Sequence, residues 1–155
     1  MFRNALVGAV AGATGTLALD IVTYADMSIR GRAASNMPQQ LVDRLAKQVG
    51  INTSDTPSDM VKNRESGIGA LLGYSDGLIT GTLYGMLRPA LRDVPAPIAG
   101  IGLGLAVMAL TDAPMTAMQL TDPRQWGLSG WLSDLIPHLA YGMVTAWAVD
   151  AMRLR

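Results

Sequence analysis

The chain has no cysteine, one histidine and one phenylalanine, and charged residues make up only 15% of its 155 positions. Without cysteine there can be no disulfide, no iron–sulfur cluster and no thiolate zinc site. With His138 as the single imidazole, bis-histidine haem ligation is excluded. Charge of one sign is missing too. Twelve basic and twelve acidic residues cancel, so no basic field points to a nucleic-acid partner. Glutamate is nearly absent: Glu65 stands alone beside eleven aspartates. A soluble domain usually carries about 25% charged residues. What the chain has instead is apolar surface and glycine, at 50% and 17 residues.

These residues gather into four stretches long enough for a bilayer core, which needs about 20 apolar residues per helix. They are Asn4–Tyr24, Gly67–Leu87, Ala96–Met118 and Gly130–Val149. The first three hold one charge each, Asp20, Asp76 and Asp112, and the fourth holds Asp134 and His138. Backbone groups in lipid must be satisfied within the segment, so such stretches are expected as helices. The competing reading is a soluble, glycine-rich helical bundle, which the mean hydropathy of +0.27 permits. Nearly half of the charged residues, however, lie between Asp26 and Glu65, and this dilutes that average. The N-terminus resembles a signal peptide in its basic start and apolar run. Three similar segments follow it, so it is read as a retained first span.

The connection 28–66 is long. Within it Pro38, Leu41, Val42, Leu45 and Val49 recur at helical spacing with Asp43, Arg44 and Lys47 between them. That pattern predicts an amphipathic helix lying in the membrane interface. Thr56-Pro57 reads as a helix start, with Thr56 as N-cap. Trp126, Trp131 and Trp147 fall near the ends of spans, where indole is favoured. Arg3, Arg88, Arg92, Arg153 and Arg155 crowd close to the helix ends on the side of the termini, which favours cytoplasmic termini.

The chain also repeats its own spacings. Gly8, Gly12 and Asp20 match Gly100, Gly104 and Asp112 without a gap. Ser75-Asp76 to Tyr84-Gly85 matches Ser133-Asp134 to Tyr141-Gly142 with one residue fewer. The expected architecture is therefore an all-α membrane protein of four transmembrane helices in a single domain, 1–155. It is read as two repeated hairpins, 4–27 with 67–87 and 96–118 with 130–150, on an axis along the membrane normal.

Two sets of residues stand out. Gly69, Gly73, Gly77, Gly81 and Gly85 recur every fourth position, a glycine-zipper spacing that lets another backbone approach; Gly8, Gly12, Gly100 and Gly104 are shorter versions. The aspartates are the candidates for chemistry. Ionisable groups in spans are costly and mark ion or proton routes. Asp20 and Asp112 share a face with the small residues of their helices, and Tyr24, Tyr84, His138, Tyr141, Arg30, Arg32 and Arg64 are the expected partners of the four aspartates. Asp134, His138 and Tyr141 follow at i, i+4 and i+7, a spacing suited to a proton relay or to a structural polar cluster. The candidate pathway is thus Asp20, Asp76, Asp112, Asp134, His138 and Tyr141. No nucleophile signature, phosphate loop or dinucleotide fingerprint is present, and the ten methionines read as packing. No enzyme activity, cofactor or metal is expected.

The C-terminal third resembles the YagU-type family of small bacterial inner-membrane proteins. The resemblance rests on Pro114-Met115, Asp122-Pro123, Trp126, Ser133-Asp134, His138-Leu139 and the basic end at Arg153 and Arg155. It covers about 40 residues and implies a multi-pass protein of the bacterial inner membrane, with no residue assigned a catalytic role. Two functions follow. One is an oligomeric pathway for protons, ions or a small solute. The other is an accessory or assembly subunit of a larger membrane complex that packs through its glycines. The expected partners are the lipid bilayer and other copies or subunits.

Overall fold

The computed structural model describes residues 1–52 and 56–153, and it is helical throughout. The elements are α1 (Phe2–Arg30), α2 (Met37–Gln48), α3 (Ser58–Leu87), α4 (Ala96–Ala117), a 3₁₀ turn at Pro123–Gln125, and α5 (Leu128–Arg153). Each boundary has a local cause. Gly31 ends α1 at φ 63°, a left-handed conformation that costs glycine nothing. Pro95 and Pro97 flank the first residue of α4, where an absent N–H leaves no bond unmade. The start of α3 falls one turn-forming residue later than the sequence suggests: Pro57, not Thr56, is the N-cap, and no side chain caps it. Arg155 lies outside the described residues.

α1 and α4 are long and apolar enough to cross a membrane. α3 and α5 are as long but do not reach the same apolarity, so two helices meet this test where the sequence reading counts four spans. The cause is compositional. Gly, Ser, Thr and Tyr alternate with leucine and isoleucine along α3 and α5.

The long helices lie in the order α3, α1, α5, α4, each packed on the next, and α2 rests on α3. Small residues set the crossings. Gly81 of α3 sits against Gly8 and Gly12 of α1, and Gly85 against Asn4 and Gly8. Gly142 of α5 sits against Gly100 and Gly104 of α4. The five evenly spaced glycines of α3 do not form one face. A step of four residues turns a helix by about 40° beyond a full turn, so Gly69 and Gly85 differ by roughly 160°. Gly77, Gly81 and Gly85 accordingly meet α1, Gly69 meets Pro38 of α2, and Gly73 has open space around it.

The core is small and is made of small residues. Ala11, Ala99, Ala146 and Val149 surround the ring of Tyr84, so all four long helices contribute. The outer surface is the apolar one. Leu71 is 66% exposed, Ile79 59%, Leu110 62% and Trp147 54%.

Candidate functional site

Three of the candidate side chains come together between α4 and α5. Asp112, near the end of α4, lies within electrostatic range of Asp134 of α5. Two carboxyls so close favour one of them carrying a proton. One turn along α5, His138 Nδ1 lies 2.8 Å from the Asp134 carbonyl and 3.4 Å from Asp134 Oδ1. A carbonyl only accepts, so Nδ1 carries the hydrogen in this contact and the neutral ring leaves Nε2 free to accept. The second oxygen of Asp134, Oδ2, is buried without a hydrogen-bond partner among the described residues. Pro137, next to the imidazole, lacks the N–H that would bond the Ser133 carbonyl and so breaks the α5 ladder there.

Asp76 approaches from α3. It lies within electrostatic range of His138 and accepts a 3.4 Å bond from Thr80 Oγ1. Tyr141 is 1% exposed, and its hydroxyl donates to the Gly77 carbonyl of α3 at 2.7 Å. Asp20 is not part of this cluster. Its partner is Tyr74 of α3, 3.5 Å away, a tyrosine outside the expected set. Arg30 and Arg32 do not reach the candidate carboxyls Asp20, Asp76, Asp112 and Asp134 either; both pair with Asp26. Arg30 also donates to Ser129 at 2.5 Å and to Ser133, tying the end of α1 to the start of α5. Asp26 lies two residues beyond the apolar stretch that ends at Tyr24. Hydrogen bonds from Arg30 and then Arg32 hold its carboxyl down at about 2.

Several polar residues that the sequence reading does not single out complete the interior. Thr145 is fully buried, donates to the Ala11 carbonyl at 3.5 Å and lies beside Tyr141. Thr16 and Thr80 are also buried. Thr145 was legible as the next step, i+11, on the Asp134 stripe. Arg88, 5% exposed, grips Asp150 with two bonds, Nε to Oδ1 at 2.7 Å and Nη2 to Oδ2 at 2.6 Å, and donates to the carbonyls of Leu91 and Val94. No local pattern marks that pair, which is 62 residues apart in sequence.

A shallow groove of about 540 Å³ opens beside Asp112, walled by Leu105, Met108, Ala109, Ala113 and Trp131. Among the described residues, no three carboxylate or imidazole groups converge to hold a metal ion. Compared with protein families, curated proteins and solved structures, the chain matches none. The site's chemistry therefore has to be read from its geometry: a carboxyl pair, an imidazole and a third carboxyl, enclosed by small residues and facing an apolar exterior.

Proposed function

We propose that this chain is a multi-pass membrane protein in which all four long helices span the bilayer and the interior moves protons. The observation that carries the reading is the closeness of Asp112 to Asp134 beside His138. A charge within the bilayer core costs up to about 2.5–3.5 kcal/mol, so three partly buried carboxyls on neighbouring helices favour a polar role. Proton exchange between a shared carboxyl pair and an imidazole is the simplest chemistry these groups perform.

Four spans, rather than two, are supported by where the polar residues of α3 and α5 lie. Gly77, Thr80, Gly81, Tyr84 and Gly85 are buried, as are Tyr141, Gly142 and Thr145, whereas Leu71, Ile79, Leu83, Ile136 and Trp147 face outward. Averaged hydropathy underrates such helices, because lipid meets only their apolar side. The chain exposes 9529 Å², against roughly 7,500 Å² expected of a globular monomer of its mass. That excess supports assembly with further copies. The matched glycine and aspartate spacings support a duplicated hairpin. The YagU-like residues of the C-terminal third and the arginines near the termini support a bacterial inner membrane with cytoplasmic termini.

The test is proton flux into liposomes reconstituted with the purified protein and loaded with a pH-sensitive dye. Asp112→Asn and Asp134→Asn should each abolish flux while leaving the assembled mass unchanged. Wild-type flux no greater than that of empty liposomes, or flux intact in both variants, would count against a proton route. A second reading, an accessory subunit of a larger complex, is favoured by Gly73, which stands open on the outer side of α3 as a ready contact for another helix. A stoichiometric foreign partner in native mass spectrometry of the gently extracted protein would make that reading the leading one.

A further inference from the structure

The buried polar side chains of the long helices run from one end of the molecule toward the other. On α5, Asp134, His138, Tyr141 and Thr145 follow at steps of four, three and four, and so keep to one face over about 16 Å. Toward the end that holds the termini, the next buried polar side chain is Tyr84 of α3. Its ring belongs to the same buried cluster as Ala11, the residue whose carbonyl receives the Thr145 hydroxyl. Beyond Tyr84 lies the Arg88–Asp150 pair, close enough for both members to act on it electrostatically. There the Asp150 side chain is 31% exposed and meets solvent.

Tyr84 itself is 5% exposed, and its hydroxyl has no hydrogen-bond partner among the described residues. A buried hydroxyl is normally paired. On the four long helices two buried side-chain oxygens lack a partner among the described residues, Tyr84 Oη and Asp134 Oδ2. The sequence correspondence sharpens the contrast. Tyr141, which matches Tyr84 in spacing, spends its hydroxyl on the Gly77 carbonyl.

We propose that Tyr84 is the relay through which protons pass between the Tyr141–Thr145 segment and the Arg88–Asp150 end of the protein. The proposal rests on the proton-route reading above. Water molecules reaching the hydroxyl from either side supply the neighbours. The phenol oxygen takes up a proton from a hydronium on one side as its own hydrogen passes to a water on the other. Two O–H bonds break and two form, the hydronium becomes water, the receiving water becomes hydronium, and the tyrosine is returned unchanged. Arg88 acts as a positioning residue: its two-pronged grip holds Asp150 at the mouth.

The experiment compares wild type, Asp112→Asn and Tyr84→Phe in the same dye-loaded liposomes, with assembled mass and unfolding midpoint measured for each. Tyr84→Phe keeps the ring that fills the core and removes only the hydroxyl. The expected result is a flux at least tenfold below wild type with mass and midpoint unchanged. Wild-type flux with Tyr84→Phe equally fast overturns the relay and leaves the Asp112–Asp134 route standing. Wild-type protein that conducts nothing overturns both. If Tyr84→Phe fails to assemble, water-edited solid-state NMR of the wild-type protein in liposomes decides. Magnetisation passing from water to the Tyr84 ring supports the relay, and a dry Tyr84 overturns it.

Discussion

Gly73 and Gly81 belong to the same four-residue spacing on α3, yet alanine should act on them in opposite directions. A Cβ on Gly81 would lie 2.6 Å from the Gly8 carbonyl oxygen and 2.8 Å from Gly12 N, and closer still to Gly12 Cα. Carbon contacts settle near 3.5–4.0 Å, so α1 and α3 would have to part by about 1 Å. Backbone atoms cannot rotate away, which puts the overpacking cost at the upper end of its usual range, about 3 kcal/mol. Alanine's better helix propensity returns about 1 kcal/mol. Gly81→Ala should therefore destabilise by about 2 kcal/mol. At Gly73 nothing lies within 4 Å of the added methyl, and only the propensity gain of up to about 1 kcal/mol remains. The two variants should differ by roughly 3 kcal/mol, two decades in the unfolding constant. The assay is reversible unfolding in mixed micelles of rising SDS fraction, followed by tryptophan fluorescence. A difference under about 1 kcal/mol, or a Gly73→Ala variant as damaged as Gly81→Ala, would refute the assignment of these faces.

Two further outcomes are expected. Arg88→Ala removes both bonds to Asp150 and the donors to the Leu91 and Val94 carbonyls. It should cost roughly 3 kcal/mol in the same assay, and Arg88→Lys should recover only part, since an ammonium lacks the planar fork. Asp150→Asn should cost less than Arg88→Ala, because Arg88 keeps its two carbonyl acceptors; the reverse order would contradict the geometry. Asp26 is held down from 3.8 to about 2 by Arg30 and Arg32, so its contribution to stability is complete above 3.8 and is lost as pH falls through about 2. The difference in unfolding midpoint between wild type and Asp26→Asn should thus stay constant from pH 7 to 5 and shrink only in strong acid. A gap closing near pH 6 would mean that another group is responsible.

The helices, their approximate ends and the Asp134–His138 contact were all readable in the sequence, because they depend on spacing within one helix. The Asp112–Asp134 proximity was readable only as a shared tendency to point inward. Which aspartate meets which depends on how far one helix slides along another, and small residues permit many such registers. The same limit hid the Arg88–Asp150 pair and sent Asp20 to Tyr74. The glycine spacing on α3 serves more than one neighbour for a geometric reason. A four-residue step drifts around the helix, so one pattern came to serve α1, α2 and open space in turn.

That sliding also bears on the duplicated hairpin proposed above. In the α1–α3 crossing Gly81 lies between Gly8 and Gly12, whereas in the α4–α5 crossing it is Gly142, the counterpart of Gly85, that lies between Gly100 and Gly104. The second pair of helices is thus displaced by close to one turn, about 5 Å, from the register of the first. Asp112 is brought level with Asp134 by that displacement, while Asp20 lies past Asp76, level with Tyr74. Two halves written in the same spacings therefore do not make two equal sites. The chain holds one carboxyl pair, set to one side, and its two ends are chemically distinct.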